Sequence, residues 1–240
     1  MTTRSPVFLK PYLRRALLVV GCFLTTSYAS FGQFNAAIGY AYSGHNGQKL
    51  NNIVARYNAL NPTLVQPMAT LDGLHGVDLG LRYRFPFVSL EVNWANKFNR
   101  LKDRVRNTDN TEYQNIMYYK NQALGAGLEL YYDWFGVGAS IDWSRTNVKR
   151  EKSTGTNKEN LLTADGLSSH FYLNFEWTAS DVMSFSVRPY VQLPYTAVDY
   201  FGVEKSLNPT YAATADKTAY KEKVVHFGIK FLFINGSKNR

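Results

Sequence analysis

From Val225 onward the chain alternates without interruption: Val225, Phe227, Ile229, Phe231 and Phe233 share one parity, and His226, Gly228, Lys230 and Leu232 share the other. Neighbouring side chains of an extended strand point to opposite faces, so this segment has one greasy face and one more polar face. The same period recurs upstream and predicts strands over 33–43, 74–85, 87–101, 113–133, 135–149, 166–178, 182–197 and 219–234. In 87–101, Val88, Leu90, Val92 and Trp94 oppose Ser89, Glu91, Asn93 and Ala95; in 135–149, Val137, Ala139, Ile141 and Trp143 oppose Gly138, Ser140, Asp142 and Ser144.

So many one-sided strands, with no core helices between them, fit a sheet closed on itself with its apolar face toward lipid. The expected fold is all-β, a transmembrane antiparallel up-and-down β-barrel of eight strands. Ten strands is the alternative, because 113–133 and 198–218 are each long enough to hide a further crossing. The connections alternate in length: long over 44–73, 102–112, 150–165 and 198–218, and only a few residues around Pro86, Trp134 and Ser180. Long outer loops and short periplasmic turns are the expected asymmetry of such a barrel. Pro189 and Pro194 fall inside 182–197, where a missing ladder donor predicts bulges.

The N-terminus sets the compartment. Arg4, Lys10, Arg14 and Arg15 precede the apolar stretch 16–24, and Ser27-Tyr28-Ala29 closes it with small residues. This pattern reads as a cleaved secretory signal over 1–29, leaving 30–240 as the barrel domain. The stretch is shorter than the roughly 20 residues a spanning helix needs. Loss of those four cations lowers the net charge from +9 to +5, and the only cysteine, Cys22, leaves with them. Val19-Val20-Gly21-Cys22 also resembles a lipoprotein cleavage box, which would make Cys22 a lipidated N-terminus. An exported chain with 15% aromatic residues and slightly negative mean hydropathy suits a barrel wall, whose two faces average out.

An eight-stranded barrel has room inside only for its own side chains. The alternation projects Asp78, Glu91, Glu129, Asp142 and Glu176 inward with Arg82, Arg84, Arg188 and Lys230. Near balance of sign predicts a paired charge network, either a structural filling or a gate on a narrow water path. Inward glycines, Gly125 and Gly138 among them, would make room for bulky Arg and Tyr neighbours.

Outside, Leu50, Ile53, Tyr57 and Leu60 form one stripe of a short helix in the first loop, ended by Pro62. It would lie across the barrel mouth, on headgroups or against a partner. Arg100, Lys102, Arg104 and Arg106 line one hairpin edge, and Lys149, Arg150 and Lys152 crowd the next. These are candidate contacts for lipopolysaccharide phosphates, or else ordinary solvated hairpin tips.

The signal, the eight alternating strands, the loop asymmetry and the terminal run Phe227–Phe233 together resemble small outer-membrane β-barrels of the OmpA/OmpX type, over nearly all of the mature chain. The resemblance implies location in the outer membrane of a Gram-negative bacterium and recognition of the last strand by the barrel-insertion machinery. It does not fix an activity. The expected role is non-enzymatic: envelope integrity or surface interaction by a monomer whose loops contact lipopolysaccharide or an external partner, with no nucleic-acid partner. The alternatives are a small-solute porin and a lipid A acyltransferase or deacylase. The latter would use Ser168 and His170, with a lateral opening near Pro189 and Pro194. Ligand-spaced His or acidic clusters and phosphate-cradling loops are missing from the sequence, so no metal or cofactor is expected.

Overall fold

The structure is a computed structural model that describes residues 34–152 and 158–236. The signal and its cleavage site lie outside the described residues. In chain order the elements are β1 (Phe34–His45), α1 (Lys49–Leu60), β2 (Leu64–Gln66), β3 (Gly73–Arg84), β4 (Val88–Arg106), β5 (Glu112–Tyr132) and β6 (Phe135–Lys152). Then come β7 (Lys158–Ser180), β8 (Met183–Pro194), β9 (Val198–Asp199), α2 (Phe201–Leu207), α3 (Pro209–Ala212), a 3-10 turn (Lys217–Tyr220), β10 (Lys221–Glu222) and β11 (His226–Asn235). Eight strands pair antiparallel in a closed ring, β1-β3-β4-β5-β6-β7-β8-β11, which returns to β1.

The ring closes with a stagger. Cross-strand partners run Phe175, Val187, Phe231, Tyr40, Val77, Asn96, Gln122, Arg145 and Asp165, so one circuit from Phe175 to Asp165 climbs β7 by ten residues. At ~3.3 Å rise and ~4.8 Å strand spacing, that stagger tilts the strands by about 40°, so each residue gains about 2.5 Å of height. From Val88 to Phe98 on β4 the outward face is mainly apolar. Ten such steps give about 25 Å, the height of an outer-membrane apolar band.

The molecule is inside out relative to a water-soluble protein. Leu128 and Ile141 are 54% and 61% exposed on the outer wall, whereas Arg82 and Arg188 are 1% and 2% exposed within. Trp134, Phe175 and Trp177 gather at one end of the band and Tyr42, Phe98, Trp143 and Phe227 at the other, as aromatic residues do at headgroup level.

Three sequence expectations are corrected. First, 102–112 and 150–165 are mostly strand, because the alternation persists past the bilayer: Leu101, Asp103 and Val105 are buried while Lys102, Arg104 and Arg106 are exposed. The 21-residue β5 therefore crosses once and overhangs, and 198–218 holds α2 and α3, so no ninth or tenth crossing exists among the described residues. Second, Pro189 and Pro194 carry no bulge. β7 and β8 keep one register from Ser168–Pro194 to Thr178–Ser184, and pairing simply lapses opposite Pro189, whose missing N–H faces β7; the register shifts in the two ladders of β7 lie at Thr178/Ser180 and at Val148/Lys149. Third, the last strand begins at His226 rather than at 219, since the 3-10 turn and β10 occupy 217–222.

Candidate functional site

The inward face stacks polar side chains in two layers. In the periplasmic half, Arg188 donates through Nη1 to both oxygens of Glu91 at 2.8 and 2.7 Å, and its Nη2 lies 3.2 Å from Glu129 Oε2. Arg82 reaches Glu176 at 3.0 Å and Glu129 at 3.6 Å, and Arg84 also contacts Glu176. Asn174 donates to Glu129 at 2.8 Å, and Ser184 donates to Glu176 at 2.9 Å. The Tyr172 ring lies 4.8 Å from the Arg188 guanidinium carbon. Gly138 makes room for that ring, since a Cβ there would overlap it, and Gly125 does the same for Asp142 and Asn93.

In the outer half, Lys230 pairs with Asp78 at 2.8 Å, and Lys97 donates to Tyr190 Oη at 3.1 Å. Lys97 was missed by the sequence reading although parity with Glu91 and Asn93 places it inward. With it, the lumen holds Arg82, Arg84, Lys97, Arg188 and Lys230 against Asp78, Glu91, Glu129, Asp142 and Glu176, equal numbers of each sign. Burying charge is costly unless it is paired, and in the periplasmic half Arg82, Arg84 and Arg188 meet that cost with Glu91, Glu129 and Glu176.

Ser168 and His170 do face the lumen together, but they do not form a relay. Ser168 accepts from Gln192 Nε2 at 2.8 Å, while His170 Nδ1 lies 3.4 Å from Ser140 Oγ and 3.5 Å from Asp142 Oδ2. A serine relay needs the two ring nitrogens to hold serine and acid on opposite sides. Here one nitrogen faces both. A small slot of about 30 Å³ near Gly166, Pro194 and Thr196 has space for about one water.

Above the lumen the strand overhangs of β4–β7 form a raised wall, about 20 Å tall along β4 beyond Phe98. Its inner face is mainly apolar, with Asp103 and Asn115 hydrogen-bonded to each other, and it is covered. Leu101, Met117, Tyr119 and Val148 pack in one core with Leu50, Ile53, Val54 and Tyr57 of α1, Met68 and Leu71 of the loop that follows, and Val203 and Leu207 of α2. Leu60, the fourth residue of the predicted stripe, is exposed instead. Polar ties fix this cap. Glu222 accepts from the backbone N–H groups of Gln48 and Lys49 at 3.0 Å each, holding the start of α1. Asn51 and Asn58 exchange hydrogen bonds with the backbone of Leu71 and Met68. Arg56 reaches the buried Glu204 at 2.7 Å and lies over the Tyr211 ring at 3.8 Å. Burial raises the hydroxyl pKa of Tyr57 and of Tyr200.

The outer face of the raised wall is basic, but the seven predicted cations are not equivalent. Arg104 and Arg106 pair with Glu112 at 3.7 and 2.9 Å, about 15–20 Å above Phe98. Arg150 belongs elsewhere: its parity turns it inward, where Nη1 donates to the Ser206 carbonyl at 3.1 Å. Lys152 shares that inward parity, at the end of β6. Arg100, Lys102 and Lys149 stand on the outward face with no ion pair among the described residues, joined by Lys120, which the sequence reading did not single out.

No family model matches the chain, and no curated protein matches it. Among solved structures, it is similar to Ail, the attachment invasion locus protein of Yersinia pestis, in complex with the heparin analogue sucrose octasulfate, at 14% identity over 85% of this chain and 97% of that one, TM-score 0.48. Neisserial surface protein A matches at 10% identity over 86% and 98%, TM-score 0.41. OprG from Pseudomonas aeruginosa matches at 10% over 85% and 93%, TM-score 0.36. The closed ring, its apolar belt and its charged interior define a small transmembrane β-barrel.

Proposed function

We propose that this barrel is a non-conducting, non-enzymatic membrane anchor that holds a rigid outer cap and raised wall for contact with lipopolysaccharide or an external partner, in an envelope-integrity or surface-interaction role. The observation that carries this reading is double closure: ion pairs fill the lumen, and an apolar core of loop and wall residues fills the mouth above it. A diffusion pore would leave one continuous polar path, and a lipid-modifying enzyme would set a relay against the bilayer. Within the class, the strand count, the loop asymmetry and the aromatic last strand favour the OmpA/OmpX type. Export by a signal cleaved after Ala29, insertion guided by β11 and a monomeric state complete the proposal.

The test is single-channel recording of the protein in a planar bilayer, with folding checked by heat-modifiable gel mobility. Silence from folded protein is expected. Steady discrete openings would overturn the proposal in favour of a porin lined by Glu91, Glu129, Arg188 and Lys230.

A further inference from the structure

We propose that Arg100, Lys102, Lys120 and Lys149, set around Tyr118 on the outward face of β4–β6, form a binding site for the phosphates of lipid A on an adjacent lipopolysaccharide molecule. The inference rests on the reading of the chain as an outer-membrane barrel in contact with lipopolysaccharide, and it assigns that contact to one place.

Register brings the four together. Arg100, Tyr118 and Lys149 are direct neighbours across β4, β5 and β6. Lys120 and Lys102 lie one step below and above this row, opposite Phe98 and Ile116. Adjacent positions in a row are ~5 Å apart and successive outward positions ~7 Å, so the cations fall within reach of a bis-phosphorylated headgroup. Height selects the same residues. With about 2.5 Å per residue and the stagger of the ring, Lys120 and Arg100 lie about 3–5 Å above Phe98, and Lys102 and Lys149 about 10 Å above it. That is the headgroup layer; the polar row Asn96, Gln122 and Arg145 and then the apolar row Trp94, Leu124 and Trp143 lie below it. Arg104 and Arg106 stand too high.

Charge selects them a third time. The carboxylates on this face are already engaged: Glu112 with Arg104 and Arg106, Asp165 with Arg145 at 2.6 Å, and Glu151 with Lys158 at 3.2 Å and the Tyr118 hydroxyl at 2.7 Å. Arg100 lies over the Tyr118 ring at 5.4 Å, which holds its charge beside the lysines without neutralising it. Among the described residues none of the four forms an ion pair, and Glu151, which Arg100 attracts, is already bound to Lys158 and Tyr118. A fixed lipid phosphate satisfies them, and the apolar wall below receives the acyl chains of the same molecule.

The experiment is native mass spectrometry of the detergent-solubilised protein with bis-phosphorylated and dephosphorylated lipid A, comparing wild type, K102Q/K120Q/K149Q and R104Q/R106Q. Heat-modifiable mobility confirms that each variant is folded. Wild type should retain the bis-phosphorylated form selectively. At about fivefold per lysine, the triple variant should bind on the order of a hundredfold more weakly, and R104Q/R106Q within about twofold of wild type. Equal loss in both variants, or loss only in R104Q/R106Q, would overturn this site while leaving the lipopolysaccharide reading intact. No phosphate-dependent retention by wild type would overturn that reading itself. Full displacement of lipid A by dextran sulfate at matched anion concentration would assign the cations to a soluble polyanion instead.

Discussion

Replacing Arg188 by alanine tests whether the lumen network holds the barrel together. The guanidinium provides the only ion pair of Glu91 among the described residues and one of two for Glu129. Its Nε donates to Asn174 Oδ1 at 3.2 Å, and the side chain is 2% exposed. Truncation therefore leaves a buried carboxylate, Glu91, without a counter-charge, while Glu129 keeps Arg82 at 3.6 Å and Asn174 at 2.8 Å. Breaking a buried pair from one side costs about 3–5 kcal/mol. Removing both partners with neutral groups of similar size is far milder, so Arg188→Met with Glu91→Gln should recover about 2 kcal/mol relative to the sum of the single changes. Urea titration of the protein in lipid vesicles, followed by tryptophan fluorescence and heat-modifiable mobility, gives all the midpoints. An unchanged midpoint for Arg188→Ala, or strictly additive single changes, would refute the network argument.

Other consequences follow from the same geometry. Ile53→Ala removes a side chain from the centre of the cap core and should weaken the cap by about 2–5 kcal/mol, exposing 46–72 to protease while the barrel keeps its heat-modifiable mobility; joint loss of both would show that the cap is not separable. Gly138→Ala should cost about 1–3 kcal/mol by pushing the Tyr172 ring off Arg188, and Tyr172→Leu in the same chain should restore part of it; an unaltered midpoint would contradict the close approach. Tyr57 and Tyr200 have raised pKa values when folded, so the cap binds protons that the opened cap releases. Their contribution is whole below the ordinary tyrosine pKa of about 10 and is lost as pH climbs above it. Tyrosinate absorbance and amide exchange in 46–72 should therefore rise together in that range, and titration of both groups at the ordinary value without cap opening would disprove their burial.

The one-dimensional pattern was enough for the barrel because a strand has a strict period of two and a membrane wall imposes opposite solvents on its two faces. Ser89 to Arg106 could be sorted into inside and outside residue by residue, and the parity that placed Glu91 inward would have placed Lys97 there too. Parity says which face a side chain takes, but not what it meets. That Arg188 of β8 faces Glu91 of β4 across the lumen depends on strand count and stagger, which no local pattern encodes. The proline positions were legible, yet their effect was not: a missing donor at Pro189 is absorbed by a lapse in one ladder because the β11 side still holds the strand in register.

The cap was least legible. Only the α1 stripe announced itself, and Met68, Leu71, Val203 and Leu207 belong to stretches with no sustained period, so their common burial arises from where the ring brings loops 46–72 and 195–225. Arg150 shows the same division, since its charge read as surface although its parity with Thr146 and Val148 turns it inward, and only the approach of α2 gives it Ser206 to meet. Sequence alone determined the class of fold, the strands and the sign of each face, because those follow from local periodicity against two solvents. Only the tertiary structure decided the ion-pair partners, the closure of the mouth and the height of each cation above the bilayer, because these depend on the stagger with which distant strands meet.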